Sequence, residues 1–325
     1  MIRRESVKGA TVLAAVALIC CTSLCGCLGS GDTTIQISGA WALYPMMVVW
    51  ADEYQRTHDI SIEVSGGGAG KGVSDVLNGM TDIGMVSRPL RSEELGQGVF
   101  YVAVTKDAVV ATVNKDNPTL PAIQQQGLSR EDLSSIFTKQ ITHWGDAIGQ
   151  DLSDDKIIVL GRSDASGAAQ VWASYLGNCT QSDLQGHADA NYDGDMNLAR
   201  GVKQQKNAIG FNNLNYAYDI ETGGFVEEIR PVPLDLNGND MLDPDENFYT
   251  SRQQLVENVS TGVYPTPPSR QEYLASKGPF QGATKDFVLW ILTDGQAFIT
   301  ENGYVQLSPT VLQQETTYAT TGTRG

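Results

Sequence analysis

The sequence predicts an α/β fold of two lobes, and three observations lead to this prediction. Strand-like and helix-like segments alternate after the N-terminal leader, a second alternating block follows residue 118, and no repeat of solenoid period is visible. The chain has 325 residues, 41% of them hydrophobic and 18% charged, which is enough for two ordinary folded cores. Its net charge of −16 argues against a general nucleic-acid binder, because such proteins need a basic face to replace counterions.

The N-terminal leader is predicted to be the signal peptide of a lipoprotein. Basic residues precede an uncharged run whose most apolar part, residues 10–21, has the length of a signal-peptide core. The motif Leu24-Cys25-Gly26-Cys27 resembles a lipoprotein signal box. We therefore expect residues 1–26 to be removed, Cys27 to be lipidated and residues 27–32 to form a tether. The alternative is an uncleaved membrane anchor, since the whole uncharged run is long enough to span a bilayer.

The first alternating block predicts a parallel sheet. A proline at position 45 suits the first turn of a helix, and the apolar residues of the second strand alternate with polar ones. A strand-helix-strand-helix-strand order requires crossover connections, which are typical of parallel sheets. In order, the predicted elements are a strand at 35–38, a helix at 45–56, a strand at 60–64, a helix at 73–78 and a strand at 82–86.

The rest of the chain predicts a second α/β block and a C-terminal helix. Two long apolar runs lie between residues 99 and 113, and the acidic segment 189–197 is interpreted as a plain loop. The further predicted elements are a helix at 130–137, a strand at 157–160, a turn and helix at 163–176, a helix at 199–205, a strand at 208–211, a helix at 284–300 and a strand at 303–307.

Four turns follow predicted strands and are expected to face one crevice; they cover residues 38–45, 65–72, 86–90 and 161–168. Three of them lead into predicted helices, whose first N–H groups and partial positive charge suit an oxyanion. Lys71, Arg88 and Arg162 add full positive charge, and the planar fork of arginine matches the edge of an oxyanion. Ligands of α/β sheets bind at the carboxyl ends of the strands, so the crevice between the lobes is the expected site.

Three enzymatic or nucleotide-binding motifs fail on inspection. A P-loop anchored on Gly70-Lys71 would need glycine where Ser65 stands and Ser or Thr where Gly72 stands. A dinucleotide fingerprint beginning at Gly66 fails because its last glycine is Lys71. A hydrolase elbow at residue 161 ends in Ala165, none of the three histidines sits in a triad arrangement, and no His/Cys metal cluster is present. The sequence therefore favours a binding protein over an enzyme.

Taken together in order, the motifs of the chain resemble the PstS-like phosphate-binding protein family of ABC transporters. The likeness covers nearly the whole mature chain and is carried by GGGAGKGV, DIGMVSRPL, GRSDASGAA, AIGFNNL, VYPTPPSRQEYL and GYVQL. It implies a type 2 periplasmic-binding-protein fold, in which each lobe is a mostly parallel sheet flanked by helices and two crossover strands join the lobes. Lobe 1 is then expected at residues 33–111 plus 266–325, and lobe 2 at residues 112–265.

The resemblance also implies a function without catalysis. The expected protein is an extracytoplasmic solute-binding lipoprotein, tethered to the outer face of the cytoplasmic membrane, with ABC permease subunits as partners. It would bind a tetrahedral oxyanion between the lobes, and phosphate is favoured. Sulfate, molybdate and tungstate stay open as alternative ligands, as does a sensor or adhesion protein that has lost its ligand on the same fold.

The ligand-binding residues follow from the same resemblance. Asp164 is expected to orient Arg162 through a charge-assisted pair. The family usually has Ser or Thr where this chain has alanine at positions 40, 69 and 168, so up to three hydroxyl donors are missing. No metal and no cofactor is expected at this site. The implied anion contacts are Ala40, Trp41, Ala42, Leu43, Ala69, Gly70, Lys71, Ser87, Arg88, Arg162, Ser166, Gly167 and Ala168.

A separate acidic loop, Asp235 to Glu246, resembles a calcium-binding EF-hand loop. Oxygen-bearing side chains stand at the ligand positions 1, 3, 5, 9 and 12 of such a loop, but Asp240 replaces the glycine of position 6. The sequence leaves two alternatives, a structural calcium ion or an acidic solvated turn.

Overall fold

The computed structural model describes residues 33–149 and 155–324, which form a mixed α/β fold. The predicted signal peptide, Cys27 and the tether lie outside the described residues. The strands are β1 (Thr34–Gly39), β2 (Ser61–Gly66), β3 (Ile83–Val86), β4 (Val99–Asn114), β5 (Ile158–Arg162), β6 (Ala190–Tyr192), β7 (Ala208–Asn213), β8 (Ile229–Pro231) and β9 (Ser269–Lys277).

The helices lie between and after these strands. They are α1 (Tyr44–Gln55), α2 (Ala69–Leu77), α3 (Ser92–Gly96), α4 (Leu120–Gln126), α5 (Arg130–Phe137), α6 (Trp144–Ala147), α7 (Gly167–Leu176), α8 (Gln181–His187), α9 (Gly194–Gln204), α10 (Leu214–Ala217), α11 (Arg252–Thr261), α12 (Gly282–Leu292) and α13 (Pro309–Thr321). A short 3₁₀ helix, Asp294–Phe298, follows α12. Within the described residues, none of these helices is long and apolar enough to cross a membrane.

The sheet consists of two parallel blocks joined by two long antiparallel strands. Its order is β2-β1-β3-β9-β4-β7-β5-β6, and β8 pairs with β4. Strand β1 is parallel to β2 and β3, and β5 is parallel to β6 and β7. Strands β4 and β9 are antiparallel to each other and to the blocks on either side. This arrangement confirms the predicted fold class, with β4 and β9 as the crossover strands.

Each parallel block has its own hydrophobic core. In the first lobe, Trp50 of α1 and Phe287 of α12 are fully buried against β1 and β3. In the second lobe, Trp144, Trp172 and Phe211 are fully buried around β5 and β7. Burying such side chains stabilises each lobe by roughly 1.5–3 kcal/mol per large apolar residue. The lobe limits given above stay predictions.

Two predicted helices and one predicted strand differ from the structure. Helix α2 begins at Ala69, inside the stretch predicted to be a turn. The predicted helix 284–300 ends as an α-helix at Leu292, because Thr293 leaves helical geometry with φ −119° and ψ −94°. The predicted strand 303–307 is wrong, since only Val305 makes a bridge, to Lys106 of β4.

The acidic segment 189–197 is not a plain loop. It forms β6 and then the first turn of α9. Gly194 adopts a φ of +77°, which lets the chain turn directly from the strand into the helix. This turn places Asp195 in the interior, with 1% of its surface exposed.

Candidate functional site

The turns after β2, β3 and β5 touch one another. The N–H of Gly70 donates to the carbonyl of Ala165 at 3.1 Å. A side chain at Gly167 would overlap Ser87 Oγ, so only glycine permits this approach. At Gly68, which has a φ of +89°, an added Cβ atom would lie 2.7 Å from the same Ala165 carbonyl. The structure therefore brings together residues that were predicted from three separate turns.

The fourth turn, before α1, joins the same group. The N–H of Gly68 donates to the carbonyl of Gly39 at 2.9 Å. Two of its predicted donors are already engaged: Ala40 N–H bonds to the Met85 carbonyl at 2.9 Å, and Leu43 N–H bonds to the Ala40 carbonyl at 3.2 Å. The N–H groups that this turn can still present to an anion are those of residues 41 and 42.

Helix α7 begins at three of the predicted anion contacts. Its N-cap is Ser166, whose Oγ accepts the N–H of Ala169 at 3.1 Å. Gly167 and Ala168 occupy the first turn, where backbone N–H groups have no acceptor within a helix. The positive end of the helix dipole lies at the same place. Ala69 is the first residue of α2, and the N–H of the next residue, Gly70, is already bonded to the Ala165 carbonyl.

Arg162 is buried at the end of β5 between two carboxylates. Its Nε and Nη2 each donate to Asp164 at 2.7 Å, and its Nη1 donates to Asp195 Oδ2 at 2.6 Å. Only 1% of the Arg162 side chain is exposed. Burial alone would lower the pKa of Arg162, but Asp195 and Asp164 raise it above its ordinary value. The guanidinium therefore stays charged, and its plane is fixed from two sides.

Asp195 is a site residue that the sequence analysis missed. Its carboxylate also accepts the N–H of Asn213 at 3.2 Å, which ties α9 to the end of β7. One signal was present, because apolar residues at 198, 199 and 202 continue a helical period back to position 195.

Arg88 is buried and is neutralised by Glu94 of α3. Its Nη2 and Nη1 donate to the two Glu94 carboxylate oxygens at 2.6 and 2.8 Å. Burial alone would raise the pKa of Glu94, and these hydrogen bonds hold it below its ordinary value. Among the described residues, Arg88 Nε has no partner although it is buried. Arg88 can thus still offer one donor.

Lys71 is not buried with the two arginines. Its ammonium pairs with Asp75 one turn further along α2, and 46% of its side chain is exposed. Residues four apart on a helix face one another, so this pair forms within α2 alone. Asp75 also accepts a hydrogen bond from Ser38 Oγ at 2.6 Å. The charge of Lys71 is thus directed along the flank of the helix.

Trp41 extends from the first lobe to the second. Its ring packs over Gly66, where any side chain would overlap it. Its Nε1 lies 3.2 Å from the place a Cβ atom would take at Gly194, the first residue of α9. Within the described part of the chain, this Nε1 is buried without a hydrogen-bond partner. The indole therefore lies between Gly66 and Gly194 and holds an unused donor there.

In the acidic loop at 235–246, the carboxylates bind backbone N–H groups. Asp235 accepts from Gly238 at 2.7 Å and from Asp240 at 2.9 Å, and Glu246 accepts from Leu236 at 2.9 Å. Asp240 has a φ of +60°, the conformation for which this loop usually has glycine. Over residues 33–149 and 155–324, no three His, Cys, Asp or Glu side chains form a metal-binding group. Calcium at this loop stays a prediction.

The fold and the site define the class of the protein. A family model described as a PBP superfamily domain matches residues 29–295, so the chain belongs to the PBP superfamily. Relatives named phosphate-binding protein PstS match over most of their length. The relative from Methanocaldococcus jannaschii is 26% identical and covers 88% of each chain. The relative from Bacillus subtilis is 25% identical and covers 86% of this chain and 82% of its own. The predicted family resemblance is confirmed.

Solved structures show the same fold. A phosphate ABC transporter substrate-binding protein with bound phosphate from Clostridium perfringens has 24% identity and a TM-score of 0.68, covering 85% of this chain and 100% of its own. An ABC-type phosphate transport receptor from Vibrio cholerae has 22% identity and a TM-score of 0.61, covering 84% and 100%.

Proposed function

We propose that this chain is the extracytoplasmic substrate-binding component of an ABC importer and that it binds a tetrahedral oxyanion, phosphate before others. The observation that carries the proposal is Arg162, which is buried and kept charged by Asp164 and Asp195 at the start of the turn that leads into α7. The relatives and solved neighbours named for phosphate binding support the same ligand.

The site would act by binding alone, with no covalent step. A guanidinium has five N–H donors, and Asp164 and Asp195 use three of those of Arg162. Two remain for an anion, together with the N–H groups of Gly167 and Ala168. Because the carboxylates fix the guanidinium in advance, little side-chain entropy is lost when the anion binds.

Closure of the cleft would complete the site. The Gly70–Ala165 hydrogen bond and the Ser87–Gly167 contact join turns from the two lobes. An anion that bridges α2 and α7 stabilises the arrangement in which these contacts form, so binding and closure are coupled. Closure also removes water from the anion, which strengthens its hydrogen bonds to charged groups.

The charge balance of the site favours a protonated oxyanion. Arg162 faces Asp164 and Asp195, so its positive charge is more than offset. A fully ionised anion such as sulfate has no O–H group to donate to these carboxylates, so they repel it. Hydrogen phosphate has an O–H group that can donate a hydrogen bond to a carboxylate oxygen.

The cellular setting is part of the proposal and is supported by the leader sequence. Removal of residues 1–26 and lipidation of Cys27 would tether the protein to the outer face of the cytoplasmic membrane. The bound anion would pass from there to ABC permease subunits.

Isothermal titration with phosphate, sulfate, molybdate and tungstate tests the function. We expect phosphate to bind, and Arg162→Ala to weaken binding about 10- to 150-fold, because hydrogen bonds to charged groups contribute roughly 1.5–3 kcal/mol. Arg56→Ala is the matched control, since Arg56 is a surface residue of the α1 C-terminus with 68% of its side chain exposed. Absence of binding by all four anions at millimolar concentration would reject the proposal and favour the ligand-free sensor or adhesion protein.

A further inference from the structure

A second buried charge cluster lies on the crossover strands. Arg270 of β9 faces two carboxylates, with Nε 2.9 Å from Glu272 Oε1 and Nη2 3.3 Å from Asp107 Oδ2 of β4. The side chains of Arg270 and Asp107 are 3% exposed and that of Glu272 is not exposed at all. One positive charge is therefore sealed between the lobes with two acidic groups.

The cluster has one guanidinium for two carboxylates. Glu272 Oε2 is buried and has no hydrogen-bond partner among the described residues, and Arg270 Nη1 is an unpaired buried donor there. An unpaired carboxyl oxygen in the interior costs much more free energy when it is ionised than when it is protonated. Burial raises the pKa of Glu272 to about 8, and the negative charge of Asp107 adds to this effect against the attraction of Arg270. Burial likewise raises the pKa of Asp107 to about 6.

This cluster is connected to the anion site by hydrogen bonds. Arg270 donates to Asn213 Oδ1, and the N–H of Asn213 donates to Asp195 Oδ1. Asp195 in turn accepts from Arg162. Over this network, the described residues place two guanidinium groups among four carboxylates.

Within the described residues, Arg270 is the cation that acts on the two carboxylates, and the charge of Asp195 raises the pKa of both. The remaining titratable side chains that face it are tyrosines, and burial raises the pKa of each, so they stay neutral. These are Tyr216 of α10, Tyr264, Tyr273 of β9 and Tyr304. An anion entering at Arg162 therefore adds negative charge to a network that already has an excess of it.

We propose that Glu272 and Asp107 share one proton, and that anion binding at Arg162 draws a further fraction of a proton from solvent onto this pair. The proposal rests on the proposed function, because the anion is the charge that drives the uptake. The proton resides on a carboxylate oxygen of the pair, and solvent or buffer is its source. The crossover strands thus link the protonation state of Asp107 and Glu272 to the binding of an anion at Arg162.

Titration calorimetry with inorganic phosphate in buffers of different ionisation enthalpy measures this uptake. At about pH 8, close to the raised pKa of Glu272, we expect wild type to take up about 0.2–0.5 proton more than Glu272→Gln. Protons taken up by phosphate itself appear in both titrations and cancel. Glu257→Gln, an exposed position on α11, is the control and should give the wild-type value.

The outcomes separate the two proposals. Phosphate binding with equal proton uptake in wild type and Glu272→Gln overturns the shared-proton proposal and leaves the proposed function standing. No phosphate binding by wild type overturns both. Should Glu272→Gln fail to fold, infrared difference spectra of wild type decide the question, since the carbonyl band of a protonated carboxylic acid must grow when phosphate binds. A band that stays constant overturns the proposal.

Discussion

Arg162 Nη1 lies 2.6 Å from Asp195 Oδ2, although the two residues are 33 positions apart in the chain. This pair adds to the local pair between Arg162 and Asp164. The arginine is therefore held by its own turn and by the first turn of α9. Such double pairing fixes the direction in which the guanidinium can bind an anion, and it also lowers the net positive charge that the anion meets.

Asp195→Asn separates these two effects. The substitution keeps the size of the side chain and removes one negative charge, so we expect phosphate to bind about 3- to 10-fold more tightly at low ionic strength. The free energy of unfolding should fall by about 1–3 kcal/mol, because a buried charged hydrogen bond is weakened. Calorimetry and urea unfolding measure the two quantities, with the exposed Asp52→Asn of α1 as control. Weaker binding by Asp195→Asn would show that orientation of Arg162 matters more than its charge balance.

Gly167→Ala tests whether binding requires the close approach of the two lobes. The new methyl group would overlap Ser87 Oγ and hold the turns apart, so we expect phosphate affinity to drop at least about 100-fold. Each lobe of the Gly167→Ala variant should stay folded. Gly186→Ala is the matched control, since Gly186 lies in α8 with nothing near its Cβ position. Equal affinities of the two variants would show that the cleft need not close at this contact.

Ala168→Ser restores one hydroxyl that the resemblance leads one to expect. Residue 168 is in the first turn of α7 and is 2% exposed, next to the N–H groups assigned to the anion. One additional neutral donor contributes about 1 kcal/mol, which corresponds to roughly fivefold tighter phosphate binding. Ala283→Ser on α12 controls for adding a hydroxyl elsewhere. If affinity is unchanged in Ala168→Ser, the side chain at this position does not reach the ligand.

The sequence predicts those parts of the fold and the site that depend on neighbours in the chain. Alternating segments predict the parallel blocks, and the family resemblance implies the Arg162–Asp164 pair, which the structure contains. Lys71 shows the limit of such reasoning. Lys71 stays a predicted anion contact, but its ammonium pairs with Asp75, which stands four residues later on the same helix face.

The parts that the sequence does not predict depend on contacts between distant segments. Asp107 stands in an apolar run of β4, and Arg270 and Glu272 lie on β9. Only the antiparallel pairing of the two crossover strands, with Asp107 opposite Arg270, brings these charges together. In the sequence, Asp195 is likewise one acidic residue in an acidic segment. In the structure it is buried because the chain turns at Gly194. Residue types alone do not distinguish these side chains from solvated ones.

If the loop at 235–246 binds calcium, the ion should stabilise the folded protein. The melting temperature of chelator-treated protein should then rise with Ca²⁺ and much less with Mg²⁺, because a ligand that binds only the folded state stabilises it. Differential scanning calorimetry measures this, and Asp243→Asn should reduce the gain if the predicted ligand at position 9 contributes. An unchanged melting temperature in wild type would leave the loop as an acidic turn held by its backbone hydrogen bonds.

Glu272→Gln should change how stability depends on pH even without ligand. In the unfolded chain the pKa of a glutamate is about 4.5, and in the folded chain that of Glu272 is about 8. Between these values the folded state holds a proton that the unfolded state has released. The contribution of Glu272 to the free energy of unfolding is therefore full below about pH 4.5 and falls as the pH rises to about 8.

Glutamine does not titrate, so the stability of Glu272→Gln relative to wild type should rise across this window and become constant above it. Urea unfolding in phosphate-free buffers between about pH 5 and pH 9 measures the difference, and Glu257→Gln should show no such trend. A difference between variant and wild type that does not vary with pH would mean that Glu272 is ionised in the folded protein. Asp107 and Glu272 would then both be ionised in the folded protein. No buried carboxylic acid would be available to bind a proton when an anion binds at Arg162.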